Sequence, residues 1–176
     1  ICDATDRPIG IAGIMGGQNT AISDTTSTIA LETAWFEPAA IMRSATRLGL
    51  RSEASARFER GVDPLGIDHG VARFVELLAL TCPGLVVHQG MVDARTEHLP
   101  ATTALALRPA RVSALLGTAF DARAIRSLLE PIGFGVAADG ADLVVTVPSW
   151  RPDCTQEIDL VEEVARLHGY ERLGKT

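Results

Sequence analysis

Four carboxylates near the end of the sequence are spaced either to hold a metal ion or to start a helix. Asp159 precedes Glu162 and Glu163 by three and four residues, so on a helix the three share one flank. Asp153 lies just ahead and can turn toward the same place. Four hard oxygen donors suit Mg2+, which binds carboxylates and keeps several waters. The same residues also fit a helix start, with Asp153 as N-cap and Gln156 completing a capping box. Acidic side chains in a first turn favour the helix dipole as well. The residue types leave both readings open.

Nearer the start, Glu32 is the one charged residue in the apolar run Ile29-Ala30-Leu31-Glu32-Thr33-Ala34-Trp35-Phe36. A carboxylate in such a run is costly unless paired or hydrogen-bonded. It either faces solvent, pairs with an arginine, or accepts a hydrogen bond from a ligand hydroxyl or amine. Gly13-Ile14-Met15-Gly16-Gly17 is a glycine-rich turn of the kind that lets backbone approach a ligand, or simply joins two strands. Arg43, Arg47, Arg51, Arg57 and Arg60 fall within eighteen residues. They suit a local phosphate contact or a set of helix-face ion pairs equally.

These groups need elements to hold them. Residues 8–15 are small and apolar and predict a buried strand, and 27–36 predict a second. Pro38 opens a helix with Ile41, Ala45 and Leu48 at helical spacing, and Gly49 stops it. Residues 50–63 read as a polar connection. Asp63-Pro64 reads as the N-cap and first turn of a helix bearing Ile67, Val71, Phe74, Val75 and Leu78. Pro83-Gly84 ends that helix, and 85–92 predict a third strand. Residues 95–102 form a polar linker containing Pro100. Beyond it come a strand at 103–107, helices at 109–116 and 121–131, strands near 134–138 and 142–147, and a helix at 155–168. On that last helix Ile158, Val161, Ala165 and His168 mark one side, broadened by Leu160, Val164 and Leu167. The class is α+β.

The composition sets limits. The chain has 176 residues, 47% hydrophobic and 22% charged, which suits a globular protein of one or two domains. No run approaches the roughly 18 apolar residues of a membrane span, and no signal peptide is evident, so a cytoplasmic location and no membrane partner are expected. Cys2, Cys82 and Cys154 have neither disulfide nor zinc spacing. A net charge of −6 argues against a surface that grips nucleic acid throughout. The chain opens on Ile1 rather than Met and reads as a piece of something longer.

The string Ser52-Glu53-Ala54-Ser55, followed by Arg57-Phe58-Glu59-Arg60-Gly61-Val62-Asp63-Pro64, is long and specific. With the glycine turn and the Glu32 run at these spacings, it resembles the B3/B4 editing domain of bacterial phenylalanyl-tRNA synthetase beta subunits. That resemblance implies a domain with a central sheet that hydrolyses tRNA(Phe) wrongly charged with tyrosine. The need is physical: an apolar synthetic pocket rejects an isostere with one extra hydroxyl only weakly. By the same resemblance Glu32 accepts the tyrosine phenol, Gly16 borders the pocket, and Ser52 and Ala54 line it. Ser52 stands where the family often has Thr. No nucleophile or general base is evident, and the reaction implied is attack by a positioned water. His69, His88, His98 and His168 do not match the family's pocket histidine, which falls upstream of Ile1.

Pro148-Ser149-Trp150-Arg151, then Asp153, then Asp159-Leu160-Val161-Glu162-Glu163-Val164-Ala165-Arg166 with Gly169-Tyr170, resembles the B5 domain of the same subunits. This implies a small winged-helix-like domain over 103–173, following a partial B3/B4 domain over 1–94. It also implies that Asp153, Asp159, Glu162 and Glu163 bind a Mg2+ shared with the alpha subunit. Pro152 departs from the family's usual aromatic. The parent enzyme charges tRNA(Phe) with phenylalanine using ATP and Mg2+, as a heterotetramer with the synthetic site on the alpha subunit. The expected partners are therefore that subunit and tRNA(Phe). Two alternatives remain: a non-catalytic interface module, and a winged-helix nucleic-acid binder. Eight basic against ten acidic residues from 101 onward argue against sequence-specific DNA binding.

Overall fold

The computed structural model describes residues 1–97 and 99–174. His98, inside the expected linker, lies outside the described residues. The chain divides into two compact units, Ile1–Thr96 and Glu97–Thr176. No helix among the described residues is long and apolar enough to cross a membrane.

The first unit is mostly helix and irregular chain. The strand expected at 8–15 is instead a hairpin: β1 (Gly10–Ile11) pairs antiparallel with β2 (Met15–Gly16), Gly10 opposite Gly16. Gly13, with φ of 67°, forms the turn between them, a conformation that disfavours any residue with a Cβ. Among the described residues this hairpin is all the sheet the unit holds, apart from a single bridge between Cys2 and Pro8.

The strands expected at 27–36 and 85–92 are not formed. Among the described residues no neighbouring strand pairs with either run, and without a ladder an apolar run remains irregular. Ile29 and Leu31 are accordingly exposed, as are Val86, Val87, Met91 and Val92.

Helix α1 (Pro38–Leu48) matches expectation, with proline in its first turn and Gly49 in the left-handed conformation at its end. Its N-cap is Glu37, which accepts from Ala39 N at 3.0 Å and Ala40 N at 2.6 Å. The connection at 50–63 contains a helix the polar composition concealed, α2 (Glu53–Phe58). Helix α3 (Ile67–Thr81) starts later than expected. Asp63 caps a turn instead, accepting from Leu65 N through its side chain at 2.9 Å. None of the apolar stripe on α3 is buried, and Phe74 is exposed. The unit's core is small: Ile14, Ile41 and Ala45, flanked by Phe36, Leu50 and Phe58. Phe36 and Phe58 meet edge to face at 4.9 Å.

The second unit follows the sequence closely. Strands β3 (Ala104–Leu107), β4 (Gly135–Asp139) and β5 (Asp142–Thr146) form an antiparallel sheet in the order β3-β5-β4. Two helices connect β3 to β4: α4 (Pro109–Leu116), closed by left-handed Gly117, and α5 (Ala122–Leu129), capped by Asp121. The chain then passes through a 3-10 turn, Glu130–Ile132, instead of continuing α5 to residue 131. Pro131 enforces this, since its ring and missing N–H break the α ladder. Helix α6 (Glu157–His168) lies over the sheet. Leu107, Val112, Ile125, Leu129, Val145, Leu160 and Val164 are fully buried in the resulting core. Ile158, expected on the covered side of α6, is exposed.

Glu157 fastens the start of α6 to the end of β3. Its carboxylate accepts from Arg108 N and Nε, each at 3.0 Å, and from Nη2 at 2.6 Å, with Arg111 at 3.5 Å. The Arg108 guanidinium, chiefly, holds the Glu157 carboxyl down from the ordinary 4.5 to about 2. A carboxyl whose folded value is depressed contributes stability above about 4.5 and loses it as the pH falls toward 2. Denaturant midpoints measured between pH 5 and 2 should therefore fall less in Glu157→Gln than in the unaltered chain. Equal slopes for the two proteins would remove Glu157 as a source of acid sensitivity.

Candidate functional site

The editing-like residues are gathered only in part. Ser52 is the N-cap of α2. Its Oγ accepts from Ser55 N at 3.1 Å, and Ser52 N donates to Ser55 Oγ at 2.9 Å. The Ser52 hydroxyl also donates to the carbonyl of Ile14, thirty-eight residues earlier. One hydroxyl thus ties the glycine turn to the start of α2. Ser55, fully buried, was missed in the sequence; the signal was two serines three residues apart at a helix start. Ala54 is exposed on α2.

The glycines of the turn are not equivalent. A Cβ on Gly13 would lie 2.7 Å from Ile41 Cδ1 and 2.8 Å from Phe36 Cδ2, and one on Gly17 would lie 2.7 Å from the Ile9 carbonyl oxygen. A Cβ on Gly16 meets nothing within 4 Å. Gly13 and Gly17 serve packing, whereas Gly16 lines an open recess with Pro8, Gly10, Ile11, Met15 and Gly17.

Glu32 stands apart. It is exposed in irregular chain, and among the described residues its carboxylate makes no hydrogen bond or ion pair with Gly16, Ser52 or Ala54. The arginine cluster resolves largely into local pairs: Arg57 with Glu53 at 2.7 Å, Arg51 with Glu59 at 3.0 Å, and Arg43 with Glu37 at 3.7 Å. Arg60 donates to the Ala56 carbonyl at 2.9 Å.

Ser52→Ala is expected to cost about 1–2 kcal/mol, through loss of an N-cap and of a partner for the buried Ile14 carbonyl. A thermal melt of the unit-one transition measures it. An unchanged midpoint would mean that the hydroxyl ties nothing together.

In the second unit the four carboxylates do not share one environment. Asp159 accepts from Thr155 N and Gln156 N through Oδ2, each at 2.8 Å, and so caps α6. The N-cap position considered for Asp153 is held by Gln156, and Asp159, at the third helical position, completes the capping box in the place expected of Gln156. These backbone donors hold the Asp159 carboxyl below its usual range. Asp153 instead takes the Arg151 guanidinium, Nε to Oδ1 at 2.9 Å and Nη2 to Oδ2 at 2.6 Å, which lowers its carboxyl too. Glu163 is buried, and both its oxygens are bonded. Arg151 Nη2 reaches Oε1 at 3.0 Å and Nη1 reaches Oε2 at 2.9 Å, while Arg166 Nη2 lies 2.6 Å from Oε2. Arg151 chiefly, then Arg166, hold the Glu163 carboxyl at about 2. Glu162 is exposed.

No group of three or more His, Cys, Asp or Glu side chains among the described residues converges as a metal cage. The donor set does not fit a four-carboxylate Mg2+ site in this arrangement, because a guanidinium holds two of the four. The sequence flagged the acids and missed Arg151, whose partner Glu163 lies twelve residues away.

Two family models match the chain: B3/4 domain over residues 1–83 and tRNA synthetase B5 domain over residues 105–170. The chain is 46% identical over 173 residues to the phenylalanine–tRNA ligase beta subunit of Salinibacter ruber, covering 98% of this chain and 20% of that protein. It is 44% identical over 176 residues to that of Moorella thermoacetica, covering 100% and 21%. With that of Rhodopirellula baltica the identity is 41% over 165 residues, covering 94% and 24%. The chain thus spans between a fifth and a quarter of the length of these curated relatives.

Proposed function

This chain belongs to the phenylalanine–tRNA ligase beta subunit family, in its B3/4 and tRNA synthetase B5 domains, and on that premise we propose that it edits mischarged tRNA and meets the alpha subunit. Residues 1–94 form the later part of the B3/B4 domain, 95–102 the linker, and 103–173 the B5 domain. The whole enzyme, cytoplasmic and built with the alpha subunit, charges tRNA(Phe) with phenylalanine using ATP and Mg2+. This segment hydrolyses Tyr-tRNA(Phe).

The observation that carries the editing reading is the Ser52 hydroxyl bond to Ile14. It joins the glycine turn, which carries the open Gly16, to the start of α2, which carries the exposed Ala54. Glu32, whose carboxylate has no hydrogen-bond or ion-pair partner among the described residues, supplies an acceptor for the phenol of tyrosine. Hydrolysis then proceeds by attack of a positioned water on the aminoacyl ester. Toward a metal shared with the alpha subunit, Glu162 and the second oxygen of Asp159 are the groups still open.

The test is release of tyrosine from Tyr-tRNA(Phe), with Phe-tRNA(Phe) as control. Selective release supports editing by this segment; equal release of both amino acids, or of neither, sinks it. A second reading, an interface module without its own hydrolytic activity, is favoured by the exposed Ile22, Leu65, Leu80 and Met91 of the first unit. A DNA-reading role is disfavoured, since Arg126 of α5 already pairs with Glu130 at 3.2 Å.

A further inference from the structure

The B5-like carboxylates and Arg151 pose a conflict of charge. A divalent cation on Asp153 and Glu163 requires direct contact with their oxygens, at about 2.0–2.1 Å for Mg2+. Those oxygens already receive the Arg151 guanidinium, through three hydrogen bonds to Asp153 and, at Glu163, one hydrogen bond at 3.0 Å and an ion-pair contact at 2.9 Å. Arg151 is anchored on a third side, with its Cζ 5.7 Å from the centroid of the buried Phe134 ring. Arg166 adds a second positive charge to Glu163. A metal ion entering here meets two guanidinium charges and must displace planar, bidentate donors that match carboxylate geometry.

We infer that Arg151 is the resident cation of this cluster, clamping Asp153 to buried Glu163 and excluding divalent metal from both. The carboxylates left for a metal are Glu162, which is exposed, and Asp159, whose Oδ1 is not used in capping. Two partial ligands make a weak site. Strong binding requires either that Arg151 be drawn away or that further ligands arrive from another protein. Arg151 is then a selector: it sets whether this helix face carries a guanidinium or a metal. The inference does not rest on the editing reading.

The experiment is a Mn2+ titration of the full 176-residue chain, with free Mn2+ read by electron paramagnetic resonance and folding followed by circular dichroism. Arg151→Met removes the guanidinium from Asp153, whose Oδ2 keeps only the Cys154 thiol at 3.8 Å among the described residues, and leaves Glu163 with Arg166 alone. It should bind Mn2+ on the order of tenfold more tightly than the unaltered chain, the scale on which neighbouring groups tune metal affinity. Affinity equal to or weaker than that of the unaltered chain overturns the inference.

Should Arg151→Met fail to fold, Glu163→Gln decides. It keeps the shape and hydrogen-bonding capacity of the side chain while removing its charge. The Mn2+ affinity of the unaltered chain should survive this change within twofold if Glu163 is no ligand. A loss of roughly tenfold or more would show Glu163 on the metal and overturn the inference.

Discussion

A beta subunit carrying Glu32→Ala, assembled into the enzyme, is expected to release tyrosine from Tyr-tRNA(Phe) roughly 10- to 100-fold more slowly. Loss of one hydrogen bond to a charged acceptor costs about 1.5–3 kcal/mol, and each 1.4 kcal/mol is about tenfold in rate. Aminoacylation and folding should be unaffected. Glu32 is exposed and anchors nothing within its unit, and such substitutions usually change stability by less than about 0.5 kcal/mol. Glu32→Gln retains a carbonyl acceptor without the charge and should fall between the two. Rates of radiolabelled tyrosine release settle the matter: full activity in Glu32→Ala would leave the glutamate without a role.

Gly13→Ala is expected to destabilise the first unit by about 2–5 kcal/mol. The backbone there is left-handed, which costs an L-residue roughly 1–2 kcal/mol. The new methyl also enters the space of Ile41 and Phe36, and overpacking adds about 1–3 kcal/mol. The unit has three buried apolar residues to absorb the strain. Gly16→Ala, three positions later, meets open space and should leave the unfolding midpoint nearly unchanged. Urea melts of the two variants side by side test the assignment, and a large loss in Gly16→Ala would refute it.

That contrast bears on how far sequence alone reached. In the second unit local signals agreed with one another. Asp121 caps, Pro109 starts, Gly117 and Gly133 stop, and the apolar periods fall where the core lies. In the first unit the runs at 27–36 and 85–92 carried strand composition but found no partner strand. An apolar run records a tendency to be covered; pairing depends on a neighbour that no local pattern specifies. Helix α2 was hidden for the opposite reason, being short and charged, with a capping pair of serines as its only mark. At the carboxylate helix the spacing placed Asp159, Glu162 and Glu163 on one element, with Asp153 ahead of it. It gave no indication that Arg151, ahead of the helix, reaches back to Glu163.

The Ser52 bond to Ile14 also has a kinetic consequence. It closes a loop of thirty-eight residues, and much of the chain between, from Ala21 to Glu37, lacks regular structure to shorten the search. Closing a flexible loop of that length costs about 3 kcal/mol in chain entropy. Helices α1 and α2 and the β1–β2 hairpin form from local contacts, on microsecond scales, whereas the turn and the α2 cap must find each other. The junction of the glycine turn with α2 is thus expected among the last parts of its unit to assemble and the first to come apart. A substitution at Ser52 should then act mainly on the rate of unfolding, leaving the rate of folding almost untouched.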